Sequence, residues 1–222
     1  MKHKTGWPWL TALLIFLLYF IIREAVSLLW EYLLIVLVPD HPDLANIYQI
    51  GRIFVTVLIA LPAYLLICRK KYPQNNPLAA GQMLKGWDMV KAFCLLQAGS
   101  LIPMLIMISI AYVSGGKMGL QEQAGVVDII WLVLLTPVIE EIINRGCLFR
   151  QLSYLGEWRA IWISTLAFSL GHGNLINGIL ALLPGIILCK IAVKTKGIGS
   201  GIVLHMVTNL ISGVIVPYII YN

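Results

Sequence analysis

The stretch from Trp9 to Val38, WLTALLIFLLYFIIREAVSLLWEYLLIVLV, decides the fold class, because only Arg23, Glu24 and Glu31 interrupt its apolar character. A run of this length predicts a helix, since a bilayer crossing takes about 20 apolar residues as a helix and about ten as a strand. At 1.5 Å per residue it would measure about 45 Å, longer than the hydrocarbon layer, so it must tilt, kink or begin at the interface. Lys2 and Lys4 ahead of it resemble the start of a signal peptide. No small-residue cleavage site follows, and the reading is an uncleaved first helix.

Working outward, six more apolar segments lie at about Ile47 to Cys68, Ala92 to Val113, Val126 to Phe149, Ile161 to Leu170, Leu175 to Val193 and Ile198 to Ile220. The expectation is an all-α, polytopic membrane helix bundle of about seven (seven to eight) transmembrane helices, forming a single membrane domain over residues 1–222. Composition agrees: 59% hydrophobic and 12% charged residues exclude a soluble globule, for which about 45–50% and 25% are usual. The net charge of +6 belongs to no basic stripe or motif, so nucleic acid is not an expected partner. The lipid bilayer is.

The basic residues instead mark a side. With the N-terminus inside, Lys2, Lys4, Arg69, Lys70, Lys71, Lys85, Lys91, Arg145, Arg150, Arg159, Lys190, Lys194 and Lys196 all fall on inner regions, thirteen of the sixteen Lys and Arg. Basic residues collect on the cytoplasmic side, which predicts a cytoplasmic N-terminus and an outer C-terminus. Trp158 and Trp162 at an inner end and Tyr218 at an outer end suit interfacial anchors. Between Leu78 and Phe93 the chain reads either as an amphipathic surface helix or as a plain loop. Cys68, Cys94, Cys147 and Cys189 occur singly, and free thiols on a reducing side are expected.

Polar groups inside apolar runs carry the functional signal, because an ionisable side chain in the bilayer is costly unless it is paired or faces water. The fourth segment reads PVIEEIINRG, with Glu140, Glu141, Asn144 and Arg145; the fifth ends FSLGHG around His172; the seventh contains LHMVTN, with His205 and Asn209. Counted from the inner basic flanks, Glu140, His172 and His205 lie about 15, 20 and 13 Å deep. Similar depths predict one polar cavity opening inward. Gly171, Gly173 and Gly178 would permit close helix approach and a break beside His172. Arg23, Glu24, Glu31 and Arg52 are expected to pair between the first two helices.

Spacing suggests roles. Glu141 and Arg145 stand four apart with the acid first, the favourable order for an ion pair on a helix. Glu140 points about 100° away and is left to face a neighbouring helix. Beside an imidazole it could take a proton from water, which suggests Glu140 with His172 as a base pair. His205 and Asn209 share a face and offer N–H donors suited to an oxyanion. Two other readings remain open: a zinc hydrolase using Glu140, His172 and His205, although no HExxH is present, and a non-catalytic transporter or immunity-type protein that binds a peptide.

Taken together, Glu140-Glu141-x-x-x-Arg145, Phe168-x-x-x-His172 and His205-x-x-x-Asn209 resemble, in order and placement, the EExxxR, FxxxH and HxxxN motifs of the CAAX prenyl protease and bacteriocin-processing (CPBP/Abi) family. The resemblance covers about Val126 to Asn209 as a catalytic core, with residues 1–91 as N-terminal helices and an inner loop. It implies an intramembrane glutamic endopeptidase with no metal and no other cofactor. In such proteins the residues matching Glu140 and His172 activate water, those matching His205 and Asn209 stabilise the oxyanion, and Glu141 and Arg145 support the site. A peptide or protein substrate follows; the compact size and lack of extra loops point to a bacterial plasma membrane, and the topology to a multi-pass protein with the site open to the cytoplasm. Phe168 reads from spacing alone as packing one turn below His172.

Overall fold

The computed structural model describes residues 8–38, 44–113 and 125–221; Lys2, Lys4 and Lys117 lie outside them. Among the described residues every regular element is helical. They form seven rods: α1 (Pro8–Leu37), α2 (44–71), α3 (Gly86–Val113), α4 (126–155), α5 (Glu157–Leu170), α6 (Leu175–Thr195) and α7 (199–221). Leu14, Leu28, Leu66 and Leu105 are more than half exposed on the rods, which suits lipid rather than water.

Among the described residues, five stretches are long and apolar enough to cross a membrane: Pro8–Leu37, Asn46–Lys71, Gly86–Ile106, Leu175–Thr195 and Gly199–Ile219. The two rods outside that group differ for clear reasons. α4 carries Asp128, Glu140, Glu141, Arg145 and Arg150, and α5 has only 14 residues. The rods least suited to lipid are those that carry EExxxR and FxxxH.

α4 is not a uniform helix. The α-helical turn Thr136–Glu141 lies between π-helical segments at Ile130–Leu135 and Ile142–Phe149, wider turns that recur at functional sites. All eight residues of Ile142–Phe149 are buried. They meet α1, α2, α5 and α6 in a core that includes Phe16, Tyr19, Tyr64, Ile143, Leu148, Ile161 and Cys189. A second core of Leu84, Ala92, Leu96, Leu188, Ile191 and Leu204 ties α3 to α6 and α7.

Residues 72–85 are not helical, so the amphipathic reading of Leu78 to Phe93 gives way to a loop followed by the start of α3. That loop is stitched across the basic end of the bundle. Gln82 N donates to Thr195 O at 2.8 Å, while Ile198 N and Gly199 N donate to Ala79 O and Ala80 O at 3.0 and 2.9 Å. Arg150 clamps it from below, donating to Asn76 O at 2.6 Å and to Lys196 O at 3.1 Å. Gly146 and Gly197 make the approach possible, since a Cβ on either would stand 2.2 Å from the backbone of Pro77 or Gly81.

Among the described residues, the charges of the first two helices make contacts within their own helices rather than the expected pairs between helices. Arg23 Nε donates to Glu24 of its own helix at 2.8 Å, and Arg52 lies over the ring of Tyr48, also on its own helix. Side chains one residue apart, or one turn apart, meet without any constraint on helix packing. The four cysteines carry free thiols, with Cys94 alone exposed.

Candidate active site

Glu141 is completely buried and Arg145 nearly so. Arg145 Nη1 donates to Glu141 Oε1 at 3.0 Å, and its Nη2 donates to the carbonyl of Gly185 on α6 at 3.1 Å. The guanidinium is also 4.4 Å from the ring centre of Phe168, a cation–π contact that strengthens away from water. Two helices beyond its own thus hold Arg145.

Glu140 occupies the neighbouring position on α4 and keeps 26% of its side-chain surface exposed. The 100° step between adjacent helical residues separates the two carboxylates into a buried one and an accessible one. His205 of α7 sits against both: Nδ1 is 3.1 Å from Glu141 Oε1 and Nε2 is 3.7 Å from Glu140 Oε2. With Nδ1–H donating to Glu141, the neutral ring leaves Nε2 as an acceptor, and only the imidazolium can donate from it.

His172 lies in the turn at residues 171–174, just beyond the end of α5, rather than within a helix. The glycines explain the turn. Gly173 has φ +72°, and a Cβ on Gly171 would stand 2.8 Å from the Phe20 ring. Nδ1 of His172 is 2.9 Å from Phe168 O, an arrangement that puts the proton on Nδ1 and leaves Nε2 able to accept. Phe168, read from sequence as packing, does more than fill space: its ring meets His172 edge-on at 4.8 Å and stands 6.3 Å from His205.

Asn209, one turn above His205, donates from Nδ2 to Leu132 O on α4 at 2.9 Å. A primary amide has a second hydrogen on that nitrogen. Thr208 beside it accepts a bond from Gln97 of α3 at 3.1 Å. Gly201, which sequence reading passed over, is where α7 approaches Glu141: a Cβ there would be 2.9 Å from Oε2.

Glu140, His172, His205 and Asn209 line one cavity of about 1410 Å³. Its wall extends from Leu188 and His205 to Asp128, Leu175 and Tyr218 at the rod ends away from the basic flank, where Leu175 and Tyr218 are largely exposed. Among the described residues the lining thus reaches the rod ends away from the basic flank. The 72–85 loop covers that basic end. Among the described residues, no three His, Cys, Asp or Glu side chains converge as a metal-ligand set.

Residues 122–211 match the family model described as type II CAAX prenyl endopeptidase, Rce1-like. Over this span, about two fifths of the chain, the sequence is similar to that family. The matched segment contains all three motifs, from Glu140 to Asn209, and leaves α1, α2 and α3 outside. No curated protein and no solved structure matches the chain.

Proposed function

We propose that the Rce1-like chain is a metal-independent glutamic endopeptidase that cuts a membrane-associated peptide with water activated by Glu140. The observation that carries this reading is the single cavity shared by Glu140, His172, His205 and Asn209, backed by the buried Glu141–Arg145 pair. Glu140, helped by the accepting Nε2 of His172, takes a proton from water while the water oxygen attacks the peptide carbonyl carbon. His205 as imidazolium and Asn209 donate to the oxyanion as charge develops on it. Collapse breaks the C–N bond, and the proton held at the Glu140–His172 pair passes to the leaving nitrogen.

Glu141 and Arg145 are positioning residues in this scheme. Their ion pair holds His205 Nδ1 and keeps the α4 carboxylate next to Glu140 from competing for water. All seven rods are taken to lie within the bilayer, with α4 turning its charges inward and the basic end facing the cytoplasm of a bacterial cell.

Purified protein in liposomes, offered a lipidated peptide reporter, tests the reading. Wild type should cut, and Glu140→Ala, His172→Ala and His205→Ala should each lose about 10²-fold or more in kcat. Equal cutting by all four proteins would overturn the assignment.

A further inference from the structure

A second, smaller chamber also borders Glu140. It has a volume of about 50 Å³ and is lined by residues of α1, α2, α4 and α5 and by the turn that holds His172. Glu140 and His172 line both spaces, as do Trp131, Thr136 and Phe168, whereas His205 and Asn209 line only the large one. The proposed base pair therefore touches two compartments and the proposed oxyanion donors touch one.

Two polar side-chain atoms of residues lining the small chamber lack hydrogen-bond partners among the described residues. Asn144 is 4% exposed; its Nδ2 donates to Glu140 O at 2.8 Å, and its Oδ1 has no hydrogen-bond partner among the described residues. Thr136 Oγ1, also buried, has none either. A buried polar atom without a partner costs about 1–3 kcal/mol, and ordered water commonly satisfies such atoms. A water needs roughly 10–15 Å³ of this kind of space, so the chamber accommodates a few waters. The cavity of about 1410 Å³ is the space in which a peptide fits.

The geometry points to a division of labour: the small chamber is a water-binding site that loads the nucleophile onto Glu140 from behind, and Thr136 and Asn144 are its positioning residues. This rests on the reading of Glu140 as the base. A hydrolase buried among apolar helices must bring water to the carboxylate while the peptide fills the other face, and the two compartments meeting at Glu140 and His172 provide separate routes. Arg23, at the chamber wall and a quarter exposed beside Glu24, supplies a polar edge toward the outside of the bundle.

Two measurements test it. Thr136→Val removes the hydroxyl at nearly constant shape, Thr136→Ser restores it, and Asn144→Leu removes the second acceptor. Expected is a kcat at least about tenfold lower in Thr136→Val and Asn144→Leu, with KM within about twofold of wild type and most activity kept in Thr136→Ser. Unchanged kcat in Thr136→Val, or a raised KM at constant kcat as for a peptide pocket, overturns the proposal. Independently of activity, a high-resolution structure in lipid should contain ordered water within about 3 Å of Thr136 Oγ1 and Asn144 Oδ1. A dry chamber overturns the proposal as well. Failure of the protease reading would look different, since Glu140→Ala would then cut as well as wild type.

Discussion

Nδ1 of His205 stands 3.1 Å from Glu141 Oε1, the same oxygen that Arg145 approaches at 3.0 Å. One carboxylate oxygen, fully buried, thus links a cation on α4 to an imidazole on α7. The consequence is that α4 and α7 cannot be set independently, and the position of His205 over the cavity is fixed by an ion pair that itself never meets the cavity.

Breaking that pair should cost stability before chemistry. Removing one partner of a buried ion pair leaves an uncompensated charge and costs about 3–5 kcal/mol. Arg145→Met is expected to lower the unfolding temperature in detergent markedly, and Arg145→Lys should restore little, because a single ammonium cannot reach both Glu141 and the Gly185 carbonyl as the fork does. An unfolding temperature equal to wild type in Arg145→Met would count against the pair as a structural element.

Gly201 offers a finer probe of the same link. Adding one methyl puts a Cβ 2.9 Å from Glu141 Oε2, so either the carboxylate or α7 must shift. Gly201→Ala is expected to reduce kcat by about tenfold with the protein still folded, since displacement of positioning groups by even a fraction of an ångström is costly. Circular dichroism together with reporter cleavage checks both halves of this expectation.

How much of this was legible in the sequence depends on whether one helix or several were involved. The Glu141–Arg145 pair follows from a spacing of four within α4, and the divergence of Glu140 follows from the 100° step, so both were readable. Arg145 reaching Gly185, Phe168 stacking on Arg145, and Gly201 pressing on Glu141 depend on which helices adjoin, and periodicity within one helix does not encode that. The depth count also took its zero from basic flanks that are not level: Glu157 at the start of α5 pairs with Lys190, six residues or about 9 Å short of Lys196 along the chain. Residues 72–85 have no periodic pattern to announce that they cover the basic end.

Phe168 should prove more than a spacer. Its ring carries the Arg145 guanidinium and the edge contact with His172. Phe168→Leu keeps an apolar filler but removes the π face, worth about 1–2 kcal/mol in a desolvated site. The expected outcome is a modest loss of thermal stability with a larger loss of kcat, read from melting and cleavage of the same preparations; loss of stability alone would return Phe168 to a packing role.

Metal removal separates the proposed chemistry from a zinc hydrolase. With Glu140 and His172 generating the nucleophile, prolonged treatment with a strong chelator should leave cleavage unchanged. Activity lost on chelation and restored by zinc would replace Glu140 as base with a metal-bound water, whose acidity the ion itself supplies.

The exposed lining residues at the rod ends away from the basic flank give a prediction about access. Positively charged loops favour the cytoplasm, and the end that carries Arg69, Lys70, Lys71, Arg150 and Lys196 is the one covered by residues 72–85, while the exposed Leu175 and Tyr218 line the cavity at the opposite rod ends. In a cysteine-free background, a cysteine placed at Leu175 or Tyr218 should react with a membrane-impermeant maleimide added outside intact cells, and one at Lys70 should react only after the membrane is opened. Both ends keep their fold in this experiment because the chosen side chains are exposed. The reverse pattern would put the basic end outside and the cavity mouth toward the cytoplasm, and peptide would then reach Glu140 from within the cell.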